Sequence, residues 1–352
     1  MKATGIVLAL ILMCPAAEEP AVASYRWPVG TAGVDAFAAW LDRPAVWALD
    51  FVGSESWDNV GWPIYWLEGW SKWAAAKPGR RLVLAIPLLP GPVDGGGPKQ
   101  GKTGLGMPVS LEQGAAGDYN HHFRQLAENL VAHKLTDVIL RPGWEFNGNW
   151  YTWKAKGKEK AFAEYWKQIV TTMRAVPGAK SVQFCWNPTL GDQDFPADQA
   201  WPGDDFVDHV GVDVYDETWA AGTYPWPKGA DAATIFARQQ KAWKEWIVES
   251  PRGLAYWTKF AKDHGKPLAF PEWGLNSRED GHGGGDNPYF IERMHAFITE
   301  PANRVAFHGY FDVNADRDHR HQLSPGLPGG KNEGTEYPAA AARFRELFRL
   351  RK

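Results

Sequence analysis

The feature that most limits what this chain can become is an alternation that starts near residue 25 and continues to the carboxyl end. Short apolar runs at 25–29, 46–52, 81–89, 137–140, 181–186, 209–214, 267–270 and 305–311 are separated by other stretches with apolar residues every three or four positions. Those stretches are 34–41, 64–76, 119–133, 161–176, 232–247, 251–264, 288–298 and 339–350. A run that is apolar throughout, such as Val138-Ile139-Leu140, has no wet face and suits a parallel strand covered by helices. Eight strands with eight helical partners, and no composition break between them, predict an α/β protein with a single (β/α)8 TIM barrel over residues 24–352. A doubly wound open sheet is the alternative. Pro28 makes the first strand the least regular.

The connections entering the strands are short, whereas those leaving them are long and rich in Gly, Pro and Trp, at 53–63, 90–108, 188–203, 216–229 and 276–287. In such a barrel the loops after the strands build the active face, so function is expected there. Charge narrows the partners. With 38 Lys plus Arg against 41 Asp plus Glu, the formal charge is -3, which leaves no basic surplus for nucleic acid or an anionic membrane. At the amino terminus, Lys2 precedes an apolar run from Ile6 to Met13, too short to span ~30 Å of hydrocarbon. Ala21-Val22-Ala23 then offers the small-x-small pattern of a signal-peptidase site. Residues 1–23 are read as a secretory signal, with lipid anchoring at Cys14 as an alternative. The mature protein is expected to be secreted or periplasmic, monomeric and free of the membrane. Cys185, in an apolar run, is expected to be a buried, inert thiol.

Two segments carry the chemistry. Arg141-Pro142-Gly143-Trp144-Glu145-Phe146-Asn147-Gly148-Asn149-Trp150 follows an apolar strand that Pro142 brings to an end, because proline cannot donate to a central ladder. Leu268-Ala269-Phe270-Pro271-Glu272-Trp273-Gly274 repeats the arrangement. If these close the fourth and seventh strands, the ring can bring Glu145 and Glu272 face to face across the mouth. Two carboxyl groups in unlike surroundings are what glycoside hydrolysis requires. One is kept protonated by apolar walls; the other is held ionised, here by Arg141.

These residues resemble glycoside hydrolase family 26, the β-mannanase family of clan A. Arg141 to Trp150 looks like its acid/base segment, Pro271-Glu272-Trp273-Gly274 is similar to its nucleophile segment, and Asp213-Val214-Tyr215 matches its Asp-x-Tyr. The resemblance implies a retaining mechanism with Glu145 as acid/base and Glu272 as nucleophile, the latter supported by Arg141 and Tyr215. Asn147, Trp150 and Trp186 are implied as site-wall or sugar contacts, and Trp144, Asp213 and Trp273 are counted with the substrate-binding set. Typical members carry His where this chain has Trp144. An endo-β-1,4-mannanase-like activity on a polysaccharide or oligosaccharide is therefore the first expectation. A β-glucanase, a xylanase or an exopolysaccharide hydrolase on the same barrel are alternatives.

The 20 Trp residues fit a sugar site, since pyranose C–H faces pack on indoles. Trp57, Trp62, Trp66, Trp150, Trp186, Trp201, Trp219, Trp226 and Trp273 lie in or near the loops after the strands. Trp40, Trp70, Trp73, Trp166, Trp243 and Trp246 sit at helical spacing and are expected in the core. Asp50, Asp58 and Asp213 are candidate hydroxyl partners. Gly96 to Thr103 satisfies a phosphate-cradling pattern, but the prolines around it and the absence of a prompt helix argue against nucleotide. No metal and no cofactor are expected. Two other classes compete: a noncatalytic carbohydrate-binding protein, and a metal-dependent deacetylase using His319 and His321.

Overall fold

The computed structural model describes residues 21–26, 29–61, 65–91, 108–326 and 334–350. Among them the strands are β1 (Ala21–Arg26), β2 (Trp47–Phe51), β3 (Arg81–Ile86), β4 (Ile139–Pro142), β5 (Gln183–Trp186), β6 in two pieces (His209–Gly211 and Val214–Asp216), β7 (Leu268–Leu275) and β8 (Val305–Asp312). Every ladder is parallel, and the order runs β1-β8-β7-β6-β5-β4-β3-β2. The ends of this path meet through side chains: the Tyr25 ring on β1 lies 4.7 Å from that of Phe51 on β2. An open sheet would hold its first and last strands apart. The expected (β/α)8 barrel is what forms.

Strand periodicity sorts the side chains into two layers. Ala23, Leu49, Val83, Ile139, Cys185, Ala269 and Phe307, one from nearly every strand, make a small cluster of their own, which is the barrel interior. Their neighbours Ala48, Leu84, Leu140, Phe184, Trp186, Phe270 and Tyr310 join the larger core that the helices cover. The helix Glu159–Arg174 shows how that cover is made. Phe162, Tyr165, Trp166, Ile169, Val170 and Met173 recur at helical spacing and are all buried. Emptying such a site costs about 3–5 kcal/mol for an aromatic residue. Of the six tryptophans expected in the core, Trp70, Trp73, Trp166 and Trp243 are buried, and Trp40 and Trp246 pack against them half-buried.

The first and seventh strands depart most from expectation, the seventh running through Pro271 to Leu275 instead of ending at 270. The first strand covers 21–26 instead of 25–29, so Ala21-Val22-Ala23, read as a cleavage site, is the first half of β1, and Ala23 is 2% exposed in the interior layer. β1 thus takes in three residues before 24. The rest of the expected signal, including Cys14, lies outside the described residues, as do Trp62 and the Gly96–Thr103 segment. The second difference is in β7, where Phe270 pairs with His308 but Trp273 pairs with Tyr310. Three steps on β7 face two on β8, the signature of an inserted residue. Simple alternation from the inward Ala269 would turn Glu272 toward the helices; the extra residue turns it into the barrel mouth.

Candidate active site

Glu272 stands in the mouth almost fully buried, 5% exposed. Arg141, inward on β4, donates from Nη2 to Glu272 Oε1 at 2.5 Å and to Asp213 Oδ2 at 2.9 Å. Its Nε donates to Asn187 Oδ1 at 2.5 Å, which fixes the guanidinium plane. Asp213, in the break between the two pieces of β6, and Tyr215, in its second piece, lie two apart and point the same way. Asp213 Oδ1 accepts the backbone N–H of Glu272 at 3.1 Å, and the Tyr215 hydroxyl donates to Glu272 Oε2 at 2.9 Å. Burial, then the Glu272 charge, pushes the Tyr215 phenol well above its usual range, so it remains a donor. Both oxygens of Glu272 are thereby held by donors, one of them a cation, an arrangement suited to a carboxylate.

Glu145 is built differently. After Pro142, Gly143 turns the chain with φ 59°, and a Cβ there would meet Leu88 Cδ1 at 1.7 Å. Glu145 itself has φ 53°, a left-handed conformation uncommon outside glycine and favoured at functional sites. Its N–H donates to the Asn187 carbonyl at 2.7 Å, tying the β4 turn to the end of β5. Gly148 leaves room for the Trp150 indole to fold back over the turn, since a Cβ there would meet the ring at 2.3 Å. Trp150 Nε1 then donates to Glu145 Oε2 at 2.8 Å. Burial, then the nearby charge of Glu272, pushes the Glu145 carboxyl up to about 8, with Glu217 adding to the rise and Trp150 and Arg141 opposing it. The fold therefore brings the two carboxyls within mutual electrostatic reach and gives them unlike partners.

Several expected contacts fall elsewhere. Trp273 faces the helices: it is fully buried, donates to His308 Nδ1 at 3.0 Å and stacks on Phe344. Trp186 points the same way, buried among Phe146, Trp201 and Trp257. Both alternate with inward residues, so neither lines the mouth. Asn147 is also consumed, its amide bridging to the backbone of Thr189 and Gly191, so it positions the loop instead of reading a sugar. Asp50 faces the helix Tyr65–Ala75, accepting from Trp70 Nε1 at 2.7 Å. Trp144 is 5% exposed behind the turn, donating to the Tyr151 hydroxyl at 2.9 Å and meeting Phe51 edge-on. His321 donates from Nδ1 to the Leu275 carbonyl at 2.7 Å and packs on Tyr215, with its pKa lowered to about 3 by burial. The described residues contain no group of three or more His, Cys, Asp or Glu placed to hold a metal.

The mouth also holds residues outside the expected substrate-binding set. Tyr25, Phe51 and Phe311 form an aromatic wall, with ring centroids 4.7 to 6.1 Å apart. Asn187 anchors Arg141, and Tyr151 supports Trp144. The signal was available, because Tyr25 lies two positions beyond Ala23, Phe51 two beyond Leu49, and Asn187 two beyond Cys185 on interior-facing strands.

Comparison with known proteins meets this geometry. The model of Glycosyl hydrolase family 26 matches residues 103–227, a stretch that contains Glu145, Asp213 and Tyr215 and stops short of Glu272. The chain resembles glycoside hydrolase family 26. A mannan endo-1,4-beta-mannosidase of Bifidobacterium adolescentis is 26% identical over 195 residues, which is 51% of this chain and 17% of that much longer protein. Among solved structures, the catalytic domain of the Bacillus sp. JAMB-750 GH26 endo-beta-1,4-mannanase superposes with a TM-score of 0.58 at 18% identity, covering 95% of this chain and 86% of that one. GH26C from Muricauda sp. MAR_2010_75 gives 0.57 at 15% identity, covering 94% and 85%. At such identities these structures establish the shared barrel.

Proposed function

We propose that this chain is an exported glycoside hydrolase that cleaves a β-linked polysaccharide with retention of anomeric configuration, and that a β-1,4-mannan backbone is its substrate. The observation that carries the reading is the unlike environment of two neighbouring carboxyls. Glu145, its pKa near 8 and opposite a carboxylate, is protonated at neutral pH and can donate to the glycosidic oxygen as the C–O bond breaks. Glu272, held by Arg141 and Tyr215, attacks the anomeric carbon and forms a glycosyl ester. Glu145, now ionised, takes a proton from water as that water attacks the same carbon and frees Glu272. The mannan assignment is supported by the proteins this chain resembles.

Reducing-end release and the first-formed product anomer, measured by NMR across mannans, glucans and xylans, test the reading. Cleavage of mannan with the β-anomer appearing first is expected. An α-anomer first overturns retention, and no release from any glycan overturns the enzyme. Retention further requires the two carboxyls to lie ~5–5.5 Å apart. For export, mass spectrometry of the extracellular protein should find a mature chain beginning no later than Ala21, because β1 needs that residue. Retention inside the cell with residues 1–20 attached overturns it.

A further inference from the structure

We propose that Trp219 is the stacking platform of a substrate subsite on the β6–β7 side of the mouth, taking the C–H face of a neutral pyranose unit that flanks the cleaved linkage. The inference rests on the glycosidase reading and names a part of the site which that reading leaves open. Trp219 is 51% exposed, whereas the tryptophans around the acid pair are half-buried or buried. It is nevertheless held in place. One contact is His282, whose ring stacks at 5.2 Å and 19° and whose Nδ1 is bonded to the Thr218 carbonyl at 2.9 Å. The other is Arg278, with its guanidinium carbon 5.0 Å from the indole centroid. Arg278 is in turn fixed by Asp280 at 2.8 Å and Glu217 at 3.3 Å, and the Thr218 N–H donates to the His282 carbonyl at 3.0 Å. An exposed indole that is already ordered loses little freedom on binding, which is what a sugar platform needs.

Its place and charge point to the ligand. Trp219 lies three residues past the end of β6, and the intervening Glu217 is close enough for its charge to raise the proton affinity of Glu145. The platform therefore lies on the loop face that carries the acid pair. Arg278 is already paired with Glu217 and Asp280, so no spare cation waits for a uronate or a phosphate.

The test measures binding apart from turnover. In a Glu272→Ala background, calorimetry with manno-, gluco- and xylo-oligosaccharides of two to six units compares Trp219 with Trp219→Ala and Trp219→Phe, circular dichroism verifying the fold of each. Trp219→Ala should weaken binding of the longest well-bound oligosaccharide about tenfold, with a smaller loss for the disaccharide, and Trp219→Phe should recover most of the affinity. Equal affinity with and without the indole overturns the proposal, as does absence of binding by every neutral oligosaccharide or tighter binding of a uronate-containing one. Trp219-dependent binding without hydrolysis of any glycan by the native protein would defeat the catalytic reading and leave the platform standing.

Discussion

Glu272 on β7 and Glu145 just beyond β4 are the same side chain in one barrel, and their surroundings differ in nearly every respect. Glu272 sits on a bulged strand and is gripped by a buried guanidinium, a phenol and a backbone link to Asp213. Glu145 sits in a left-handed turn beyond the end of its strand, with a single indole donor. The first environment stabilises charge; the second excludes water and faces a like charge. Chemical role follows from what surrounds the carboxyl, and four measurements break or sharpen that contrast.

The largest effect is expected at Glu272. Replacing it by alanine should lower kcat by at least about 10³-fold on every substrate, because no other group stands in its place; substantial residual turnover would remove it from the nucleophile's role. Glu145→Ala should cost roughly 10²–10⁴-fold on unactivated glycan, and far less on an aryl glycoside whose leaving group needs no proton. Equal losses on both substrates would mean that Glu145 is not the acid. Arg141→Met tests the grip on Glu272 and Asp213: leaving buried carboxylates without their cation should lower stability by about 3–5 kcal/mol, read from urea unfolding at neutral pH. An unchanged midpoint would make the ion pair decorative.

The smallest effect concerns pH. Because folding raises the Glu145 pKa from 4.5 to about 8, the folded state holds a proton that the unfolded chain releases earlier. Its stabilising contribution is complete below pH 4.5 and is lost as pH rises through 8. Glu145→Gln keeps a neutral side chain throughout, so its Tm relative to the native protein should climb across that window and lead by about 2–4 °C at pH 9. The alkaline limb of kcat/KM should fall near the same pH. A Tm difference that stays flat from pH 4 to 9 contradicts the raised pKa.

Much of this was legible in the residues. Arg141, Glu145, Asp213, Tyr215 and Glu272 all reach the mouth; Pro142 does end β4 before Glu145, whereas β7 runs on through Pro271 to Leu275 and carries Glu272 within it. The tryptophans were harder. Trp186 and Trp273 adjoin site residues in sequence yet face the helices, since strand neighbours point to opposite sides. Trp150, in a turn, reaches its carboxyl only because Gly143 and Gly148 let the backbone fold back. Asn147 looked like a sugar contact and proved to be a brace between two loops.

The ring of parallel strands and the end at which its chemistry stands were written into local stretches of the chain, because the apolar period and the loop lengths are properties of short segments. Tertiary structure alone decided that Glu272 faces inward, since an extra residue in β7 has a position only relative to its partner β8. It alone also decided the proton affinity of Glu145, because burial and the charges of Glu272, Arg141 and Glu217 come from strands and loops far away along the chain.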